Sequence, residues 1–316
     1  MSENPLKSWF VSATNRLAHS DRVSIVSAET PSQRADLIIE NWEKAIKRKR
    51  FSGQELASFV DVKEPFEDSM QVYLGLKPMA GFLSHVMHSR YPSFYREGFR
   101  IDRILSAIPK DDRLGILVLT ARRHSLLGPG DIEEVWNPEA VNQVLKDNED
   151  LSAGKQIDPF DLEKFPSAVM SLVHRPPFSS KDVSLQGLIY GYPKAAATSF
   201  GDIANELAEV CIKLTSNAQD KGLQLFNGSS NATPMQQIVM VPELKQRLID
   251  YASDINYPIS DKLRYYILNS RAANAPGFNY GTLEGLTDTE EAEQRQKWEE
   301  SGIIDKVGVL LKKYLK

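Results

Sequence analysis

Apolar residues recur at three- and four-residue intervals from Ala35 through Ile38, Ile39, Trp42, Ala45 and Ile46, which places them on one face of an amphipathic helix. Thr30 ahead of Pro31, with Gln33 three residues on, supplies a capping box for its start. Ser52 and Glu55 repeat that signal before Leu56, Phe59 and Val60. Phe66, Met70, Tyr73 and Leu74 then continue helical spacing after Pro65. Pro78 is placed to open a further helix that Tyr91-Pro92 stops, and Ile101, Ile104, Leu105 and Ile108 make one more. The first third of the chain is therefore expected to be helical.

The pattern changes at Leu114. GILVLT is dense in β-branched and aliphatic residues between two polar loops, which predicts a strand. Asp131 is expected to cap a helix carrying Ile132, Val135 and Trp136, with Asn137-Pro138 kinking it or opening the next through Val141 and Leu145. Short apolar runs at Ala168 to Val173, Leu185 to Tyr190, Leu223 to Phe226 and Ile238 to Val241 read as further strands. Between them, Leu207, Val210, Cys211 and Leu214 form the stripe of a helix from Ile203 to Ser216. Pro242 opens another helix, and Leu263, Tyr266 and Ile267 mark a third, followed by a glycine-rich aromatic loop. Thr287 with Glu290 forms a capping box, Gly302 interrupts, and Ile303, Val307, Leu310, Leu311 and Tyr314 line a C-terminal amphipathic helix expected to dock on the body.

These elements predict an α+β fold: a helical N-terminal third, a mixed sheet of four to six strands between Leu114 and Val241, and a helical C-terminus. The link between the runs ending at Val173 and beginning at Leu185 is too short for a helical crossover, which favours α+β over the alternative, an α/β three-layer arrangement. The division expected is a helical extension over 1–59, an α+β core over 60–285 and a helical segment over 286–316.

Composition narrows the function classes more than it selects one. A net charge of −4 over 316 residues disfavours nucleic acid as a partner, since such binding requires a strongly basic face. No apolar run is long enough for a membrane span, and the segment MSENPLKSWFVSATNRL has neither signal-peptide nor transit character, so cytoplasmic residence is expected. Cys211, the one cysteine, falls on the apolar stripe of its helix and reads as a buried structural thiol.

Candidate chemistry centres on Val183 to Phe200, VSLQGLIYGYPKAAATSF, which reads as a strand, a turn at Gly191-Tyr192-Pro193 and a helix. Lys194, Thr198 and Ser199, with Tyr192 in the turn before them, would stand at the helix start, where free N–H groups suit an anion. Arg122, Arg123 and His124 follow one predicted strand and His174 and Arg175 another, so parallel neighbouring strands would gather all of these groups at one sheet edge. No phosphate-loop, dinucleotide, GxSxG or HExxH pattern is present, so neither a cofactor nor a catalytic residue is assigned. His85 and His88 share a helical face, yet no complete ligand motif surrounds them, and no metal site is expected. Lys47, Arg48, Lys49 and Arg50 complement the dipole at a helix end or form a local phosphate or nucleic-acid patch. The sequence thus predicts a protein that binds a small phosphate- or carboxylate-bearing molecule, whether or not it transforms it. The alternative is a non-catalytic interaction or regulatory protein that meets a protein partner through the basic helix end or the C-terminal helix.

Overall fold

Thr30 starts the first helix as its capping box requires: its hydroxyl accepts from the Gln33 N–H at 3.2 Å, and the Gln33 side chain accepts from the Thr30 N–H at 3.0 Å. The computed structural model describes residues 10–12, 28–83, 101–108, 112–124, 131–153, 157–158, 164–173, 179–227, 237–239, 241–278 and 280–315. Helix α1 (Pro31–Lys47) buries Ala35, Ile38, Trp42 and Ala45. Ser52 and Glu55 cap α2 (Gly53–Asp61) in the same way, and α3 (Lys63–Tyr73) follows. With α4 (Ile101–Leu105), these helices share one core into which Trp298, Ile303, Val307 and Leu310 insert from the other end of the chain.

A small sheet lies beside this core. Its strands are β1 (Phe10–Ser12), β2 (Met79–Leu83), β3 (Leu119–His124) and β4 (Asp131–Trp136), in the order β1-β3-β4-β2. Ala80 and Val135 face the helical core just described, whereas Met79, Leu119 and Trp136 face a second core with Val141, Leu145, Phe165 and Leu185. At these positions both faces of the sheet are therefore covered. That second core belongs to α5 (Pro138–Asp147), α6 (Glu149–Ser152), α7 (Phe165–Val173) and α8 (Ser180–Ile189).

The fold mixes α and β as expected, and it is mostly helical, but the sheet is not the one predicted. Among the described residues every pairing in this sheet is antiparallel rather than mixed, and within Leu114 to Val241 only β3 and β4 are strands. Helices cover both faces as in a three-layer protein, yet the antiparallel pairing excludes a wound α/β topology. The Pro78 segment forms β2 rather than a helix, and Asp131 begins β4 rather than capping one. A six-residue helix gains little from propagation, while a central strand satisfies its backbone on both sides, and β4 takes partners in β2 and β3.

Conversely, Ala168 to Val173 and Leu185 to Tyr190 belong to helices α7 and α8. The missed signal at α8 is a capping box in which the Ser179 hydroxyl accepts from the Asp182 N–H at 3.1 Å. Leu223 to Phe226 is irregular, and residues 237–239 form a helical turn.

Helices α9 (Lys194–Gly201), α10 (Ala204–Asp220), α11 (Pro242–Asp254) and α12 (Asp261–Asn269) follow, and the last three build a third core. A hairpin missed by sequence reasoning, β5 (Ser270–Ala272) with β6 (Gly281–Leu283), carries the aromatic loop. In α13 (Asp288–Ser301) the expected box is absent: the Thr287 hydroxyl donates to Glu291 at 2.6 Å instead. Gly302 turns the chain at φ +62° into α14 (Ile303–Tyr314), which docks on α1 and α2. No helix among the described residues is long and apolar enough to cross a membrane.

Candidate functional site: an aromatic cavity

The unit from Val183 to Phe200 is a helix, a turn and a helix. Gly191 adopts φ +81°, and its N–H bonds the Leu188 carbonyl at 2.9 Å while the Tyr192 N–H bonds the Gly187 carbonyl at 3.0 Å. These two bonds end α8 in a Schellman turn, where glycine avoids a Cβ penalty. A Cβ at Gly191 would also lie 2.7 Å from the Lys77 side chain. Gly187 lets α9 approach, since a Cβ there would sit 3.0 Å from Ala197. The turn therefore aims Tyr192 at a fixed point while the two helices stay in contact.

That point is the hairpin loop. Tyr192 packs on Tyr280 with ring centroids 4.6 Å apart, and Phe278 meets Tyr280 edge-on at 5.9 Å. Tyr190 lies 6.3 Å from Tyr192 on the other side. Such pairs each contribute about 0.5–1.5 kcal/mol beyond their buried area. Together with Gln186, Phe200, Leu207 and Tyr266, these rings enclose a cavity of about 390 Å³ where the third core meets α8 and α9. No charged side chain among the described residues lines it.

Charge is held behind the rings. Lys77, 2% exposed, donates to Asp68 at 2.5 Å and to the Gly277 carbonyl at 2.8 Å, and its ammonium lies 5.0 Å from the Phe278 ring centre. Burial raises the Asp68 carboxyl above its ordinary range, and Lys77 opposes that shift. Gly277 at φ +73° bends the loop toward α3, where Gln71 bonds the Pro276 carbonyl at 2.9 Å.

Tyr280 donates to Glu291 at 3.1 Å, and the same carboxylate receives Arg271 at 2.9 Å and the Asn274 N–H at 2.7 Å. Burial alone would raise the Glu291 carboxyl, but Arg271, Thr287 and Asn274 outweigh it and hold the group below its ordinary range. Burial pushes the Tyr192, Tyr266 and Tyr280 hydroxyls upward, so all three are neutral near pH 7, with Tyr266 donating to the Gly281 carbonyl at 2.9 Å and Tyr280 to Glu291.

Of the ligand-binding candidates named from sequence, Tyr192 is the one among the described residues that lines this cavity. Lys194 is exposed at the start of α9, and the exposed Thr198 hydroxyl donates to the Lys194 carbonyl at 2.7 Å. Arg122, Arg123 and His124 lie on β3. His174 and Arg175 fall outside the described residues, as do His85 and His88. The parallel strands that would have gathered these cations are absent among the described residues, because the segments before His174 and Lys194 are helical.

Phe278 and Tyr280 were missed as site residues. Their signal was the aromatic density of APGFNYG, but nothing local ties it to IYGY some ninety residues earlier. Burial pushes the Cys211 thiol up to about 12, which keeps it protonated and unreactive. No group of three or more His, Cys, Asp or Glu among the described residues is arranged to hold a metal ion. No protein-family model, curated protein or solved structure matches the chain.

Proposed function

We propose that the protein binds a small organic anion whose flat, apolar body lies between the aromatic rings and whose carboxylate or phosphate points outward to Lys194. The observation that carries this reading is the cavity itself. Its volume of about 390 Å³ lies in the range of small-molecule sites, and its walls are aromatic and aliphatic with a few polar groups. The uncharged lining disfavours a bare ion inside, because nothing there would replace its hydration. Lys194 supports an outward anionic end: it is exposed and stands between Tyr192 and Ala196, both of which line the cavity.

Thermal-shift titration with an aromatic carboxylate, its neutral analogue and inorganic phosphate tests the reading, since a ligand that binds only the native state raises the melting temperature. The carboxylate is expected to act most strongly and inorganic phosphate not at all. Tyr192→Ala should abolish the shift, and Lys194→Ala should reduce the carboxylate to the level of the neutral analogue. A wild-type protein indifferent to all flat aromatic compounds would end this proposal. The alternative reading through a free C-terminal helix loses support, because α14 buries Ile303, Val307 and Leu310 in the core it shares with α1.

A further inference from the structure

We infer that the C-terminal end of α1 forms a second binding site, for a small soluble molecule carrying two linked phosphate groups. A cleft of about 340 Å³ opens there, and four of its seven lining residues are cations: Lys44, Arg48, Arg50 and Arg113. None of the seven is acidic. Glu40, which is not among the seven, is shared between Lys44 at 2.5 Å and Arg113 at 2.9 Å. Arg48 and Arg50 have no carboxylate partner among the described residues, and the described lining carries an excess of positive charge.

Complementing the helix dipole accounts for cations on α1 itself, but not for this arrangement. Three of the last four carbonyls of α1 already have partners: Lys44 in the Arg48 N–H at 3.1 Å, Ala45 in the Arg50 N–H at 3.0 Å and Ile46 in the Lys49 N–H at 2.9 Å. Arg113 comes from a separate turn at Asp112–Leu114, held in place by Arg34 donating to the Leu114 carbonyl at 3.2 Å and by Ala28 donating to the Arg113 carbonyl at 2.7 Å. The chain reversal depends on Lys49 at φ +55°, a conformation that favours glycine, and it leaves Arg48 and Arg50 on the same cleft. Guanidinium groups converging from two directions suit the oxygens of adjacent phosphates, which they bind in bidentate fashion. The site is a concave spot rather than a basic stripe, and the chain's net charge of −4 opposes a long polyanion, so a compact diphosphate fits better than nucleic acid.

Calorimetric titration of the full chain with inorganic pyrophosphate, with sulfate as control at matched ionic strength, tests the inference. Pyrophosphate should bind one to one, sulfate at least about tenfold more weakly, and affinity should fall as salt rises from 50 to 200 mM. The double variant Arg48→Gln/Arg50→Gln should lose pyrophosphate binding by about tenfold or more while keeping the wild-type melting temperature. It should also keep any response to aromatic carboxylates, which separates this site from the cavity. Equal binding of sulfate and pyrophosphate, or a double variant that binds like wild type, would overturn the inference. So would capture of an RNA oligonucleotide, or of vesicles bearing a multiply phosphorylated lipid, by a protein that ignores pyrophosphate.

Discussion

The aromatic cavity and the cationic cleft are of similar volume, about 390 and 340 Å³, yet they are built in opposite ways. Around the cavity, charge is held behind the walls, in the buried Lys77–Asp68 pair and the half-buried Arg271–Glu291 pair, and none of it is in the described lining. In the cleft, charge is the lining. A ligand of the first is selected by shape and apolar area and should bind with little dependence on salt, whereas a ligand of the second is selected by charge and should be screened. The scaffolds also differ: the cleft rests on a core shared by both ends of the described chain, and the cavity rests on a turn and a hairpin loop.

Four changes would break or sharpen this contrast. Truncation before Gly302 should have the largest effect, because Ile303, Val307 and Leu310 leave the core of α1 and their burial is worth about 5 kcal/mol or more together. Denaturant unfolding should show that loss, and hydrogen exchange should place it in α1 and α2 before α8. An unchanged midpoint would mean that α14 does not support the cleft.

Gly191→Val comes next. A β-branched residue at φ +81°, with its Cβ 2.7 Å from Lys77, combines backbone strain with overpacking, for a cost of about 3 kcal/mol. The loss of stability should appear in thermal melts together with loss of any aromatic-ligand response, while pyrophosphate binding measured below the melting temperature persists.

Glu291→Gln is expected to cost about 1–3 kcal/mol, as it weakens a charge-assisted network under Tyr280. Its pH signature is specific. A carboxyl held below its ordinary range stabilises the fold fully above the unfolded value of about 4.3 and ceases to do so as pH falls toward the folded value. The wild type should therefore lose stability in mild acid more steeply than the variant. Glu43 adds a parallel loss on the cleft side: hydrogen bonds from Lys313 and Lys47 hold its carboxyl down at about 2, so its link between α1 and α14 weakens only below the ordinary range.

The smallest effect, and the one of opposite sign, is Lys49→Gly. Relief of a left-handed lysine should stabilise the protein by about 0.5–1 kcal/mol in chemical denaturation. A destabilised variant would show that the lysine side chain holds the turn.

Much of the helical framework was legible without coordinates. Thr30 with Gln33, Ser52 with Glu55, Asn137 ahead of Pro138 and Pro242 each mark a helix start within four residues, and the apolar stripes of α1, α10 and α14 name the faces that are buried. Capping and helical period are local, so the residues that decide them are neighbours in the chain.

Strand partners are not neighbours. Asp131 to Trp136 is a strand because β2 and β3 flank it, and Leu185 to Tyr190 is a helix although its apolar run suits either state, because one side meets the sheet's core and the other the cavity. The candidate sites depend on the same long-range encounters. Tyr192 could be picked out from a turn, but its stacking on Tyr280 joins two loops, and Arg113 reaches Arg48 and Arg50 only through the packing of Leu114 and Arg34. Local chemistry in the sequence determined where the helices begin and which faces they bury; tertiary packing decided what those faces enclose, since a cavity exists only between segments that the chain itself keeps apart.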